Sequence, residues 1–196
     1  MPSPDEIRAR FERIQAQVGP AVTIVAATKY VSVAGMAALV EAGIPVVGEN
    51  RAQDLEAKYA EYGDAFRWHF IGRLQSNKVK VVNGICELVH SLDSDSAAGH
   101  LTVPALVQVN LAGEQSKSGV APAEIEAFLR YDIRGLATMP PAAETPDDSR
   151  RWFAELRELA AAHGLAQLSM GTTQDYLVAA AEGATHIRVG SVLFAD

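Results

Sequence analysis

Eight short runs of β-branched and small apolar residues recur along this chain, almost all of them separated by helical or turn-forming segments. The runs cover 22–28, 45–49, 67–71, 86–91, 104–110, 133–138, 166–170 and 185–189. Near-continuous apolar character is expected of parallel strands covered on both faces. Helical patterns are expected over 32–42, 50–62, 76–82, 122–130, 149–163 and 173–181, with a further helix at 4–18 ahead of the first strand. Segment 93–100 is too short for more than a turn or two of helix and interrupts this rhythm. Eight strands alternating with helices is the count of a (β/α)8 TIM barrel. The expectation is one α/β domain over 1–196 with an extra N-terminal helix; a doubly wound open sheet is the alternative.

Composition narrows the function. The chain is 48% apolar and 21% charged, the balance of a globular domain with a sizeable core. No apolar run approaches the ~20 residues of a membrane-spanning helix. The N-terminus, Met-Pro-Ser-Pro-Asp-Glu, lacks a secretory pattern. A single cysteine, Cys86, excludes an internal disulfide, fits a reducing compartment and reads as a small buried hydrophobe. A formal charge of −7 without a basic block argues against nucleic acid or an anionic membrane as partner. A cytoplasmic, monomeric protein with a small ligand is expected.

The chemistry-bearing residues fall where a barrel would gather them. Lys29, Asn50, Gly72, Ser91, Asn110, Thr138, Ser169 to Gly171 and Arg188 to Gly190 lie at or just beyond strand carboxyl ends, the face that carries active sites. Lys29 follows a strand of Val, Ile and Ala, so its ammonium is expected to be buried and its pKa lowered, the starting point for Schiff-base chemistry. The alternative is a lysine whose tip escapes to solvent. In Leu168-Ser-Met-Gly-Thr-Thr-Gln-Asp175, Gly171 would let backbone approach a ligand and the Thr172 and Thr173 hydroxyls would meet an anion. Gly190-Ser191 repeats that logic after the eighth strand, and barrels often hold a phosphate between these two loops. An ordinary helix cap, Thr172-x-x-Asp175, is the structural alternative.

Arg188 needs an acceptor, either a ligand atom or a carboxylate such as Glu49. Asn50 reads equally as a helix N-cap. His69 and His90 read as core histidines, not spaced as metal ligands, and no metal is expected. A lysine on strand one and a phosphate site at strands seven and eight suit a phosphorylated carbonyl compound. Pyridoxal 5′-phosphate (PLP) and the sugar phosphate of a Schiff-base aldolase both satisfy that geometry, and spacing does not separate them.

Ala27-Thr-Lys29, Gly48-Glu-Asn-Arg51, Trp68-His-Phe-Ile-Gly-Arg-Leu-Gln-Ser-Asn-Lys78, His90-Ser-Leu-Asp93, Gln108-Val-Asn110, Ser116-Lys-Ser-Gly119, Arg134-Gly-Leu136, Leu168-Ser-Met-Gly171 and Ala184-Thr-His-Ile-Arg-Val-Gly190 follow each other in order. Together they closely resemble the pyridoxal phosphate homeostasis protein family, related to the N-terminal barrel of alanine racemase. The resemblance implies a fold-type III barrel with PLP held as a Schiff base on Lys29. It further implies Ser169, Thr173, Gly190 and Ser191 at the phosphate, Arg188 facing the pyridine nitrogen and Asn50 near the ring. An arginine there disfavours ring protonation and weakens the cofactor as an electron sink.

Members of this family resemble carriers or regulators in vitamin B6 and amino-acid balance, with PLP-dependent apoenzymes as recipients and no assigned catalytic residue. A PLP-dependent racemase or lyase acting on a small amino acid is the alternative. Racemases of the related type carry a second β domain, for which the six residues after Gly190 leave no room. The sequence departs from the family pattern in Thr172-Thr173 for Met-Ser, in Arg73 for histidine, and in a shortened segment 93–102. The last departure bears on closure of the barrel around strands four and five.

Overall fold

The computed structural model describes residues 1–195. Helix α1 (Pro4–Val18) starts at a capping box: the Ser3 hydroxyl accepts from the Glu6 amide while the Glu6 carboxylate accepts from the Ser3 amide at 2.8 Å. Pro4 sits in its first turn, and Ile7 and Ile14 form its buried stripe. Arg10 ties it to the far end of the chain by donating to the carbonyls of Leu193 (3.1 Å) and Ala195 (2.6 Å).

Eight strands follow: β1 (Thr23–Ala27), β2 (Val46–Glu49), β3 (Arg67–Phe70), β4 (Leu88–Leu92), β5 (Ala105–Val109), β6 (Ile133–Thr138), β7 (Gln167–Ser169) and β8 (His186–Val189). All neighbours are parallel and the sheet closes in sequence order, with β1 paired to β8 from Thr23↔His186 to Ala26↔Val189. The barrel is therefore the expected (β/α)8 architecture. Closure holds at the shortened segment too. A single turn, α5 (Asp95–Ala98), joins β4 to β5, which pair at Val89↔Ala105 and Leu92↔Val107 with a register shift between.

The remaining helices are α2 (Met36–Ala42), α3 (Ala52–Tyr62), α4 (Val79–Ile85), α6 (Ile125–Phe128), α7 (Arg150–Ala162), α8 (Tyr176–Ala181) and α9 (Ser191–Phe194). Several begin later than their sequence patterns imply, two of them after a non-helical turn. The expected helix at 32–42 starts at Met36, because Ser32 to Gly35 form a turn in which the Ser32 hydroxyl accepts from the Gly35 amide at 3.1 Å. The expected helix at 173–181 starts at Tyr176, because Asp175 folds its carboxylate back onto the Thr172 amide at 2.7 Å.

Alternate strand residues point to opposite faces, and the two faces differ in chemistry. Ile24, Val47, Trp68, Phe70, Val89, Val107, Leu136, Leu168 and Ile187 join the large apolar core shared with the helices. Inside the barrel, Leu88, Leu106 and Ala137 form a small separate cluster, and His69, His90 and Ser169 are buried as well. Cys86 is buried and free, and burial pushes its thiol up to about 12, so it packs as a small inert side chain.

Candidate functional site

At the carboxyl ends of the strands a cavity of about 740 Å³ opens at the barrel mouth. Lys29, Asn50, Thr173, Arg188, Gly190 and Ser191 all line it. The fold thus brings six of the eight residues singled out from sequence onto one wall system. Ser169 and Gly171 do not line it. Ser169 is fully buried beneath the mouth, and Gly171, at φ +89°, turns the chain so closely against α8 that a Cβ would lie 2.4 Å from the Ala179 Cβ.

Lys29 corrects an expectation. Its side chain is exposed rather than buried, with Nζ 4.8 Å from the centroid of the Tyr30 ring. The apolar strand ends at Ala27, and the next two residues already lie on the mouth, where a lysine stem reaches water. What is buried is its support. Thr28 is fully buried; its hydroxyl donates to Glu49 Oε1 at 2.5 Å, and its carbonyl accepts from Lys58 Nζ at 2.8 Å. Lys58 also pairs with the same Glu49 oxygen at 2.5 Å, so one buried ion pair grips the residue next to Lys29 from both sides.

Glu49 is therefore committed to Lys58, which corrects its assignment as a partner of Arg188. Arg188 is half-buried and finds neutral acceptors instead. Its NH1 donates to the Ser169 carbonyl at 3.0 Å and to the Ser169 hydroxyl; its NH2 donates to the Thr138 carbonyl and the Met139 thioether, both at 2.9 Å. Of the five guanidinium N–H groups, these four contacts leave Nε–H among the described residues. Burial pushes the guanidinium down to about 10, so it remains a cation at neutral pH.

The two loops expected to share an anion do meet. The Gly190 amide donates to the Thr173 hydroxyl at 3.2 Å, with Ser191 beside it on the cavity wall. Thr172 does not cap α8, whose N-cap is Asp175; the Thr172 amide and hydroxyl instead donate to the Asp175 carboxylate, which also accepts from the Ser149 hydroxyl at 2.7 Å. Asn50 caps nothing: α3 begins after Arg51, and no side-chain cap is made. A Cβ at Gly72 would sit 2.0 Å from the Asn50 carbonyl, so only glycine lets this loop approach.

Sequence reasoning passed over Lys58 and the tie between His90 and Ser169. Lys58 had a signal, since it lies three residues after Leu55 and six after Ala52 on the buried stripe of α3. His90 Nδ1 lies 2.7 Å from the Ser169 hydroxyl across the barrel, a contact no local pattern announces.

The barrel and its mouth define a member of the alanine racemase class of barrels: the family described as alanine racemase, N-terminal domain, matches residues 3–196. A pyridoxal phosphate homeostasis protein of Aquifex aeolicus is 40% identical over 177 residues, 79% of this chain and 78% of that protein. One of Synechocystis is 36% identical over 211 residues, 95% of this chain and 96% of that protein. The structure of PipY from Synechococcus elongatus with PLP bound matches with a TM-score of 0.87 and 33% identity, covering 96% of this chain and 99% of that one. This chain belongs to the pyridoxal phosphate homeostasis protein family.

Proposed function

We propose that this chain binds PLP at the barrel mouth, carries it as a Schiff base on Lys29 and serves in PLP homeostasis. The observation that supports this best is the pairing of unlike groups around one cavity. An exposed lysine amine stands on β1's side, and an arginine with one uncommitted donor stands on β8's side. The Thr173, Gly190 and Ser191 loops adjoin them. These residues fit the cofactor. Lys29 Nζ can condense with an aldehyde and release water. The Ser191 and Thr173 hydroxyls offer a phosphate donors, beside the Gly190 amide that holds the Thr173 oxygen. Arg188 supplies a single N–H, which suits an acceptor with one lone pair such as a pyridine nitrogen.

When bound, PLP supplies an aldehyde and an electron-withdrawing ring. Arg188 keeps that ring nitrogen unprotonated, which weakens carbanion stabilisation and favours carriage over turnover. Release to PLP-dependent apoenzymes and a part in amino-acid balance follow from the same reading. The test is to load the purified protein with PLP, record the imine absorption band, then incubate it with L-amino acids in deuterated water. The carrier reading expects the band without exchange of the α-hydrogen. Exchange with turnover would instead establish a racemase or lyase.

A further inference from the structure

Behind Arg188, the barrel interior holds a line of polar side chains that cofactor binding does not itself use. His69 on β3 and His90 on β4 are each 1% exposed, and Ser169 on β7 is 0% exposed. His69 Nδ1 lies 2.9 Å from His90 Nε2, and His90 Nδ1 lies 2.7 Å from Ser169 Oγ, which in turn meets Arg188 NH1.

The protons in this line can be assigned by counting. A guanidinium only donates, so Ser169 Oγ accepts from Arg188. The hydroxyl has one hydrogen, and its other partner is His90 Nδ1, so the hydrogen points there. That nitrogen must be bare, which puts the His90 proton on Nε2, donating to His69 Nδ1. His69 then also carries its proton on Nε2. In these tautomers the Ser169 hydroxyl hydrogen has its acceptor and each contact along the line has one donor and one acceptor, with the His69 Nε2–H at its end. A proton added at His90 Nδ1 would leave the Ser169 hydroxyl hydrogen without an acceptor in a site closed to water.

We propose that His90 and Ser169, backed by His69, are positioning residues that fix Arg188 so that its Nε–H remains for a ligand in the cavity. The assignment rests on Arg188 contacting the PLP ring nitrogen. The surroundings keep the line neutral. The His186 ring on β8 lies 5.2 Å from that of His90 and 6.0 Å from that of His69. Burial weighs most against a proton on either ring, and any positive charge on His186 or Arg67 adds to this at His69, as any on His69, His186 or Arg188 does at His90. Asp175 bears on Arg188, where it favours the cation.

The test compares PLP with its 1-deaza analogue, in which a C–H replaces the ring nitrogen. Wild type should bind PLP about tenfold more tightly than the analogue, the worth of one hydrogen bond to a charged donor. His90→Phe and Ser169→Ala should bring that ratio close to one. His90→Gln keeps an acceptor and a donor in the same order and should retain it. An unchanged ratio in both His90→Phe and Ser169→Ala overturns the positioning role. Failure of wild type to bind PLP overturns the function, and wild-type binding without discrimination overturns the Arg188 contact; either removes the positioning role with it. Nitrogen-15 spectra of histidine-labelled wild type give a check that needs no variant. Both His69 and His90 should show the neutral Nε2–H pattern from pH 6 to 8, and any other pattern contradicts the assignment.

Discussion

The barrel mouth carries two cations, and the chain holds them by opposite means. Lys29 is exposed at its tip and immobilised at its root, where the buried Lys58–Glu49 pair grips Thr28. Arg188 is held at its tip, by two backbone carbonyls, a thioether and a hydroxyl, with neutral imidazoles behind. A charge in the support of Lys29 is tolerable because Glu49 and Lys58, both buried, neutralise each other in direct contact. A charge in the support of Arg188 would face a cation directly. The difference suits the proposed roles: a free amine that forms and breaks a covalent link, and a fixed guanidinium that keeps a ring nitrogen in one state.

On PLP binding, the largest effect expected is at the lysine. Lys29→Ala should abolish the imine absorption band and weaken PLP retention about 100-fold or more, measured by titration, because the covalent anchor is gone. Next comes acid. The histidines of the barrel interior hold pKa values below those of the unfolded chain: His69 is lowered by burial to about 3, His186 by burial to about 4, and His90 falls well below its ordinary value for the same reason. The unfolded chain therefore binds more protons below pH 6.5, so stability is full above that value and falls as the pH drops toward 4. At pH 5 each such histidine should cost about 2 kcal/mol relative to pH 7. Urea melts at the two pH values check this, and equal stabilities would mean that the rings are not held neutral.

Lys58→Met should then cost about 3–5 kcal/mol by leaving the Glu49 carboxylate buried without its cation, and adding Glu49→Gln should restore part of it. A loss below about 1 kcal/mol, the range of exposed pairs, would show that the root of Lys29 is not held by charge. The smallest effects belong to the loops. Thr173→Ala and Ser191→Ala should each weaken PLP binding by about 1–3 kcal/mol while leaving the imine band in place.

The strand order of the barrel could be read from the chain because each strand announces itself by its own apolar run, and six candidate site residues followed from lying at or just past the ends of those runs. What could not be read depends on partners distant in sequence or on where a side chain points beyond a strand. The run 22–28 locates β1 but says nothing of Lys29, which the turn at Thr28 lifts to the surface. Glu49 looked available for Arg188 until Lys58, on the next helix, claimed it. Ser169 reads as a loop hydroxyl near a phosphate, yet it is the last residue of β7 and its hydroxyl meets His90, 79 residues earlier, inside the barrel.

Reductive trapping shows whether Lys29 is the point of attachment. The PLP-loaded protein is treated with borohydride, unfolded and digested, and the modified peptide is identified by mass. A pyridoxyl group is expected on the peptide containing Lys29, and none on the corresponding peptide of Lys29→Ala. A label on Lys58, Lys78 or another lysine, or none surviving unfolding, would contradict attachment at Lys29.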